Sequence, residues 1–396
     1  MSMKRTGLKL DTGLRKGMGV YDLFFFLALV FMIGYFATTP FRSTSLRHVF
    51  VLGGAAVMYG ASLYNAIKAR YSASEIIRHA ALLILMAVGL VATQHSLWEA
   101  GYAYLNFLAI HLILTTKIQH EFKCDVTRMV DIFGILAAFF LAVAYFSPAA
   151  YVFEDGRRSR SLALGMTNPN LTGMMITAVI EILMIGYKRW KHKWLLLVIV
   201  AGLFYLAWLT RARSALLACA LVLIYTFFFS KRKIPNFIVY AAVALPLLFV
   251  PVYLGLYSAG LNNVKIFGKY LFSGRELTYL SYLEHINTFP KWLLGDLGGT
   301  LFTNAHNAPL MVLCSVGLVG LIATYHGFIR NLIHLNNNAE DPASRAAIAC
   351  ILSICIQSCF EAVMFSGVFP SVGFMFIFMI LAARGESEEV GKRGTA

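Results

Sequence analysis

The chain reads as an all-α polytopic integral membrane protein, with about 12 transmembrane helices and one long outer loop between helices 9 and 10. Three observations carry that reading. Of its 396 residues, 59% are hydrophobic and only 13% charged, roughly half the charged share of a soluble domain. Mean hydropathy is +0.70. Apolar runs of roughly 18–20 residues recur along the chain, each long enough to cross a hydrocarbon core of about 30 Å as a helix.

The spans fall at about residues 20–38, 48–67, 76–94, 98–116, 129–146, 171–187, 194–209, 214–229, 236–257, 308–325, 346–365 and 369–383. The first follows a basic N-terminus and ends on Thr38-Thr39-Pro40 rather than on a small-residue cleavage site, so it is expected to be retained. Residues 1–383 form a single transmembrane domain. Residues 384–396, RGESEEVGKRGTA, read as a disordered cytoplasmic tail.

Orientation follows from the basic residues. Of 34 Lys and Arg, 23 lie before the first span, after the last one, or in the loops that follow spans two, four, six, eight and ten. The positive-inside rule puts both termini and those loops in the cytoplasm. The formal net charge of +15 therefore reports topology, and no nucleic-acid motif accompanies it. Five of the six cysteines, Cys219, Cys314, Cys350, Cys355 and Cys359, sit inside or beside spans; Cys124 does not, and no CxxC pair occurs. They read as small apolar side chains rather than metal ligands or disulfides.

The longest polar interruption, within which 278–295 reads as a short amphipathic helix on the membrane surface with Glu276 and Glu284 as its solvated face, runs from residue 258 to about 307 and carries Arg275, Glu276, Glu284, His285, Asp296 and His306. The charge count places it outside. Eleven basic residues break the inside bias, and four of these, Lys265, Lys269, Arg275 and Lys291, lie in this loop. Arg42 and Arg47 lie in the first outer loop, and Arg157, Arg158 and Arg160 lie between spans five and six. Arg211 and Arg213 occupy a turn so short that both must stay at the rim of the apolar layer. An Arg at membrane depth costs about 2.5–3.5 kcal/mol on insertion scales, so a partner is expected. Either an internal carboxylate such as Glu361 or an anionic ligand would serve.

Four outer features can converge. Gly165–Gly173 reads GMTNPNLTG; its Asn168-Pro169 pair interrupts the helix, Asn170 can cap the one that follows, and an exposed helix N-terminus favours an anion. The Arg211-Ala212-Arg213 turn is the second. The third is Ser273-Gly274-Arg275-Glu276, where Arg275 can grip a phosphate or simply pair with Glu276. The fourth is His306, flanked by Asn304 and Asn307, a candidate for proton transfer. Several arginines and one histidine suit a lipid-linked diphosphate. No Asp-x-Asp, no His/Cys cluster at ligand spacing and no Walker A motif occurs, so neither a metal, nor another cofactor, nor ATP is expected. Glu181, deep in span six, reads as a helix-packing hydrogen bonder or part of a polar path.

The combination resembles the O-antigen ligase and O-antigen polymerase family of bacterial envelope glycosyltransferases. It rests on Gly165 to Asn170, Arg211-Ala212-Arg213-Ser214, Ser273-Gly274-Arg275, and the long loop closing with Gly295-Asp296-Leu297-Gly298-Gly299 and His306-Asn307. The resemblance implies a metal-independent inverting glycosyltransferase of the bacterial inner or plasma membrane. It would move a glycan from undecaprenyl pyrophosphate to an acceptor glycan or glycolipid on the outer face. Arg211 and Arg275 would then bind the diphosphate with Arg213 in support, and Arg275 and His306 would be catalytic. Asn168, Asn170, Glu276 and Asn307 would support them.

A polysaccharide polymerase, of O-antigen or capsule, is favoured over a ligase that uses lipid A-core. The other partners expected are the bilayer and a chain-length regulator. A flippase or other transporter is the rival of a different class; transporters commonly repeat their halves, and no internal repeat is detected here.

Overall fold

The computed structural model describes residues 19–38, 44–68, 71–92, 111–112, 125–153, 160–166, 168–261, 264–266, 269–270, 272, 274–295, 305–362, 364, 377 and 379–381. Most of expected spans four and twelve, the tail, Arg42, Cys124, Arg157, Arg158, Ser273, Asp296 and Asn304 fall outside them.

Among the described residues, six helices are long and apolar enough to cross a membrane. They are α1 (Val20–Thr38), α4 (Val126–Tyr145), α5 (Pro169–Gly186), α6 (Lys193–Thr210), α8 (Asn236–Ser258) and α11 (Ala308–Asn337). Between them lie α2 (Thr44–Lys68), α3 (Ala73–Ala92) and α7 (Arg213–Ile224), which continues as a π-helical turn over Tyr225–Phe229; α12 (Pro342–Gln357) follows α11. The protein is thus a multi-pass α-helical membrane protein. Its only described strands form two short hairpins, β1 (Tyr151–Phe153) with β2 (Arg160–Leu162), and β3 (Lys265–Ile266) with β4 (Lys269–Tyr270).

Helix α5 is the hub. Every residue from Thr172 to Gly186 is buried, the mark of a helix apolar all round, and α4, α6, α7 and α12 surround it. Glu181 is buried on it, accepting from the Ser353 hydroxyl of α12, while the Cys350 thiol donates to the Glu181 carbonyl at 3.4 Å. The side chain therefore joins two helices. The five described cysteines, Cys219, Cys314, Cys350, Cys355 and Cys359, are buried. The outer helices turn large apolar side chains outward, among them Trp194, Val198 and Trp208 on α6 and Phe237, Leu248 and Val252 on α8.

At one end of the bundle, α12 starts on Asp341, whose Oδ1 accepts from the Ala343 and Ser344 amides. Arg345 Nη1 donates to Lys231 O at 2.7 Å, Lys233 Nζ to Asn337 O at 2.9 Å, and Asn336 Nδ2 to Ile234 O at 2.7 Å. These bonds lock the end of α7 and the start of α8 to the α11–α12 connection. Helices α7 and α12 therefore run antiparallel, so the Arg211–Arg213 turn and the residues after Gln357 share the opposite end.

The segment 278–295, expected as one amphipathic helix on the membrane surface, is instead two helices, α9 (Arg275–His285) and α10 (Phe289–Leu294), separated at 286–288. Helix α10 docks against a kink in α11 at Gly317, which has φ 66° and ψ −173°. A Cβ on Gly317 would lie 2.2 Å from Leu293 O, and one on Gly295 would lie 2.5 Å from Ser315 O. Only bare backbone fits on both sides. Gly317→Ala should therefore destabilise by about 2 kcal/mol or more, read as a lower midpoint in thermal unfolding of the detergent-solubilised protein.

Candidate functional site

The turn between α11 and the loop before it begins the site. Asn307 is fully buried and caps α11, its Oδ1 accepting from Leu310 N at 2.9 Å. Its Nδ2 donates to Pro246 O of α8 at 3.2 Å and to Cys359 O at 3.3 Å, and Ala308 N donates to Ser358 O at 3.2 Å. These bonds staple the start of α11 to the segment leaving α12. The residues just outside the staple, His306 and Glu361, are thereby brought face to face.

His306 Nδ1 lies 2.9 Å from Glu361 Oε2, and Arg275 Nη2 donates to Glu361 Oε1 at 2.8 Å. The Glu361 side chain is 1% exposed, against 21% for Arg275 and 26% for His306. One buried carboxylate thus orients a guanidinium and an imidazole whose other edges reach the surface. Such a carboxylate holds the proton on Nδ1 and leaves the lone pair on Nε2.

Arg275 is positioned from below. It opens α9, whose N-cap Gly274 has φ 89°, a conformation that glycine adopts without strain. Gly274 N donates to Glu276 Oε1 at 3.2 Å, and Tyr253 OH of α8 donates to Oε2 at 3.4 Å. Glu276 is buried rather than solvated, and it anchors the start of α9 to α8 instead of forming an Arg–Glu surface pair; Glu284 is exposed, as a solvated face requires. Tyr279, fully buried, donates to His306 O at 3.4 Å. Burial pushes its phenol up, against the lowering effect of Arg275, so it remains a donor. Phe249, Tyr253, Phe272 and Tyr279 pack around this anchor, with Tyr253–Phe272 ring centroids 4.8 Å apart.

The Arg211–Arg213 turn forms a second group at the same end. Arg211 and Arg213 are exposed on either side of Ala212, which is 2% exposed. Thr210 Oγ1 donates to Ala207 O at 2.7 Å and accepts from Ala212 N at 3.2 Å, which shapes the turn. Gly173 of α5 lets it pack flush, since a Cβ there would lie 2.7 Å from Ala212 Cβ. The start of α5 is therefore beside Arg211 and Arg213. The cap of that helix is Asn168, whose side chain accepts from Asn170 N at 2.8 Å; Asn170, expected to be the cap, lies in the first turn because Pro169 already has helical geometry.

Three described non-glycine residues have positive φ: Leu164 at 47°, Arg211 at 60° and His306 at 51°. Each such residue costs about 1–3 kcal/mol and persists where its surroundings impose it. Two of the three are residues singled out from the sequence on chemical grounds.

Glu361, weighed above as a partner for the Arg211–Arg213 turn, instead has its two oxygens on Arg275 and His306. It is also the main residue that sequence reasoning did not place in the site. The available signal was a carboxylate inside an apolar run, which marks a functional position in membrane proteins. Among the described residues, no group of three His, Cys, Asp or Glu side chains gathers as a metal site would require.

The roles of Asn307 can be separated by substitution. Asn307→Asp keeps the cap acceptor but turns two donated bonds into contacts between oxygens. It should lower the unfolding midpoint at least as much as Asn307→Ala, and a smaller effect in thermal melts would show that capping dominates. Comparison with protein families and with curated proteins finds no family model and no curated relative that the chain matches.

Proposed function

We propose that the protein is an inverting glycosyltransferase that moves a glycan from undecaprenyl pyrophosphate to an acceptor sugar, working on the outer face of a bacterial inner or plasma membrane with both termini in the cytoplasm. The observation that supports this most is Glu361 held between Arg275 and His306. In this reading His306 Nε2 takes the proton of the acceptor hydroxyl as its oxygen attacks the anomeric carbon. The bond from that carbon to the diphosphate oxygen breaks with its electron pair, and the configuration at the carbon inverts. Arg275, with N–H groups to spare beyond the one on Glu361, meets the departing charge. Arg211 and Arg213, beside the N-terminus of α5, hold the rest of the diphosphate. The activated lipid supplies the energy.

A polymerase, whose acceptor is a second lipid-linked repeat, is the form favoured here; a ligase differs only in acceptor. The test is purified protein given lipid-linked repeats alone, with polymer as the expected product and no elongation counting against the polymerase form. Arg211→Lys should reduce transfer about tenfold or more, because Lys lacks the bidentate fork. Wild-type rates for that variant would remove Arg211 from the diphosphate site.

A further inference from the structure

Helix α11 cannot be straight. Unbent, it would hold Asn307 and Asn336 about 44 Å apart. Yet Asn307 Nδ2 donates to Pro246 O and Asn336 Nδ2 to Ile234 O, carbonyls about 22 Å apart at most along α8 and the two residues before it. These bonds run across the helices, not along them, so they do not make up the difference. The chain turns back at Gly317, the residue inside α11 with non-helical φ and ψ. Its first arm, 308–316, is about 14 Å long and starts beside Pro246, about 18 Å below the outer end of α8. Arg275, His306 and Glu361 gather at that start. The bilayer continues above them, because α8 goes on turning apolar side chains outward past Pro246: Leu248 at 61% exposure, Val252 at 58% and Leu256 at 38%. The turn at His306 is walled in by Ala305 and Asn307, both fully buried, as non-helical backbone at membrane depth requires.

Helix α9 climbs with the first arm. Tyr279 OH donates to His306 O, and Cys314 Sγ donates to Tyr282 O at 3.5 Å. Glu276, Tyr279 and Tyr282 form its buried face. The opposite face changes character with height: Leu277 and Leu280, 64% and 40% exposed, come first, and the exposed Glu284 and His285 follow in the last turn. Helix α10, seated on Gly317 at the top of the arm, exposes Phe289, Trp292 and Leu294 beside Lys291. Apolar side chains low on the climb, charged ones at its top and an aromatic helix across the top are the pattern that a leaflet and its interface impose.

We infer that α9, α10 and the first arm of α11 form a re-entrant unit set into the outer leaflet, with Leu277 and Leu280 against its acyl chains and α10 along its interface. The partner of this surface is lipid rather than water. Arg275 and His306, both partly exposed on the other side of α9, then face a hydrated recess, as charged groups at membrane depth do. The inference rests on the proposed orientation only for which leaflet is named. For the transfer proposed above, it means that the reacting sugar descends below the headgroups to meet His306.

The experiment places the full chain in nanodiscs whose phosphatidylcholine carries a photoactivatable diazirine on one acyl chain, and maps the labelled peptides by mass spectrometry. The peptide holding Leu277 and Leu280 should be labelled as heavily as the one holding Leu248 and Val252. Spin labels on Leu277→Cys, Leu280→Cys and Glu284→Cys give a second readout. The first two should be relaxed more by oxygen than by a water-soluble nickel chelate, as at Val252→Cys, and the third should show the reverse. No photolabel at 277–280 while α8 is labelled, or nickel access at positions 277 and 280 equal to that at 284, overturns the inference. Protection of 277 and 280 from both oxygen and nickel would show protein, a second copy included, covering the face, and would overturn lipid as its partner. Neither readout needs glycosyl transfer, so failure of that reading and failure of this one are told apart.

Discussion

Glu361→Gln is expected to lower glycosyl transfer by about 10²- to 10⁴-fold, the usual worth of a positioned acid or base, while the protein still inserts. The amide is nearly isosteric, so packing around it is kept. Its nitrogen cannot accept, however, so only one of the two neighbours keeps its bond. If the amide oxygen faces Arg275, the amide N–H₂ meets His306 Nδ1 as a donor and forces the proton to Nε2. The imidazole then presents a proton where it should present a lone pair. If the amide turns round, Arg275 loses its anchor. Either outcome removes a working group without touching substrate directly. Comparing Glu361→Gln with Glu361→Ala separates tautomer from packing: the Ala variant leaves Arg275 without its buried counter-ion and should also lose stability, by about 3–5 kcal/mol if the pair behaves as a fully buried one. The partial exposure of Arg275 makes that an upper bound. Equal melting and equal rates for wild type and Glu361→Gln would reduce the carboxylate to a spectator.

His306→Ala should abolish product to a similar degree, and added imidazole should restore part of it if the lost group acts as a base. His306→Gly provides a second readout. Position 306 has φ 51°, which glycine adopts without strain and alanine does not. The Gly variant should therefore unfold with about 1 kcal/mol more stability than the Ala variant while remaining as inactive. A backbone held in a strained conformation for an imidazole is what a functional constraint predicts. Equal stability of the two variants would indicate that the turn has relaxed.

Much of the fold was legible because hydropathy and helix signals coincide in several places. The expected span at 171–187 and the observed α5 at Pro169–Gly186 differ by two residues or fewer, since Asn168-Pro169 marks both the start of the apolar run and the cap. The two signals part at α11 and α12. Hydropathy ended the tenth span at 325, yet the helix continues to Asn337 through His326, Arg330 and His334, because a helix need not stop where the membrane does. In the eleventh, the apolar run continues to Phe365, yet the helix ends at Gln357, where the staple from Asn307 and Ala308 takes over the Cys359 and Ser358 carbonyls. Composition reports immersion, whereas hydrogen bonding decides where helices end.

The site divides along the same line. Arg275, His306, Arg211 and Arg213 were legible as chemistry out of place in apolar sequence. Their grouping was not, because it depends on contacts between residues far apart in the chain: Asn307 with Cys359, Gly173 with Ala212, and Tyr253 with Glu276. Glu276 read as solvent-facing from its place in a polar helix, and its burial comes from α8, a separate element. Glu361 was visible as an acid in a span, but its partners were not.

The central claim is that His306, Arg275 and Glu361 act together on a lipid-linked diphosphate sugar. The most direct measurement is transfer by purified protein in nanodiscs, supplied with a lipid-linked repeat and scored for both new glycosidic bonds and released lipid diphosphate. Wild type should form both products in equal amounts, and His306→Ala, Arg275→Ala and Glu361→Gln should form neither above background. Normal product from both His306→Ala and Arg275→Ala, or movement of the lipid-linked glycan across the bilayer with no new glycosidic bond, would contradict the account.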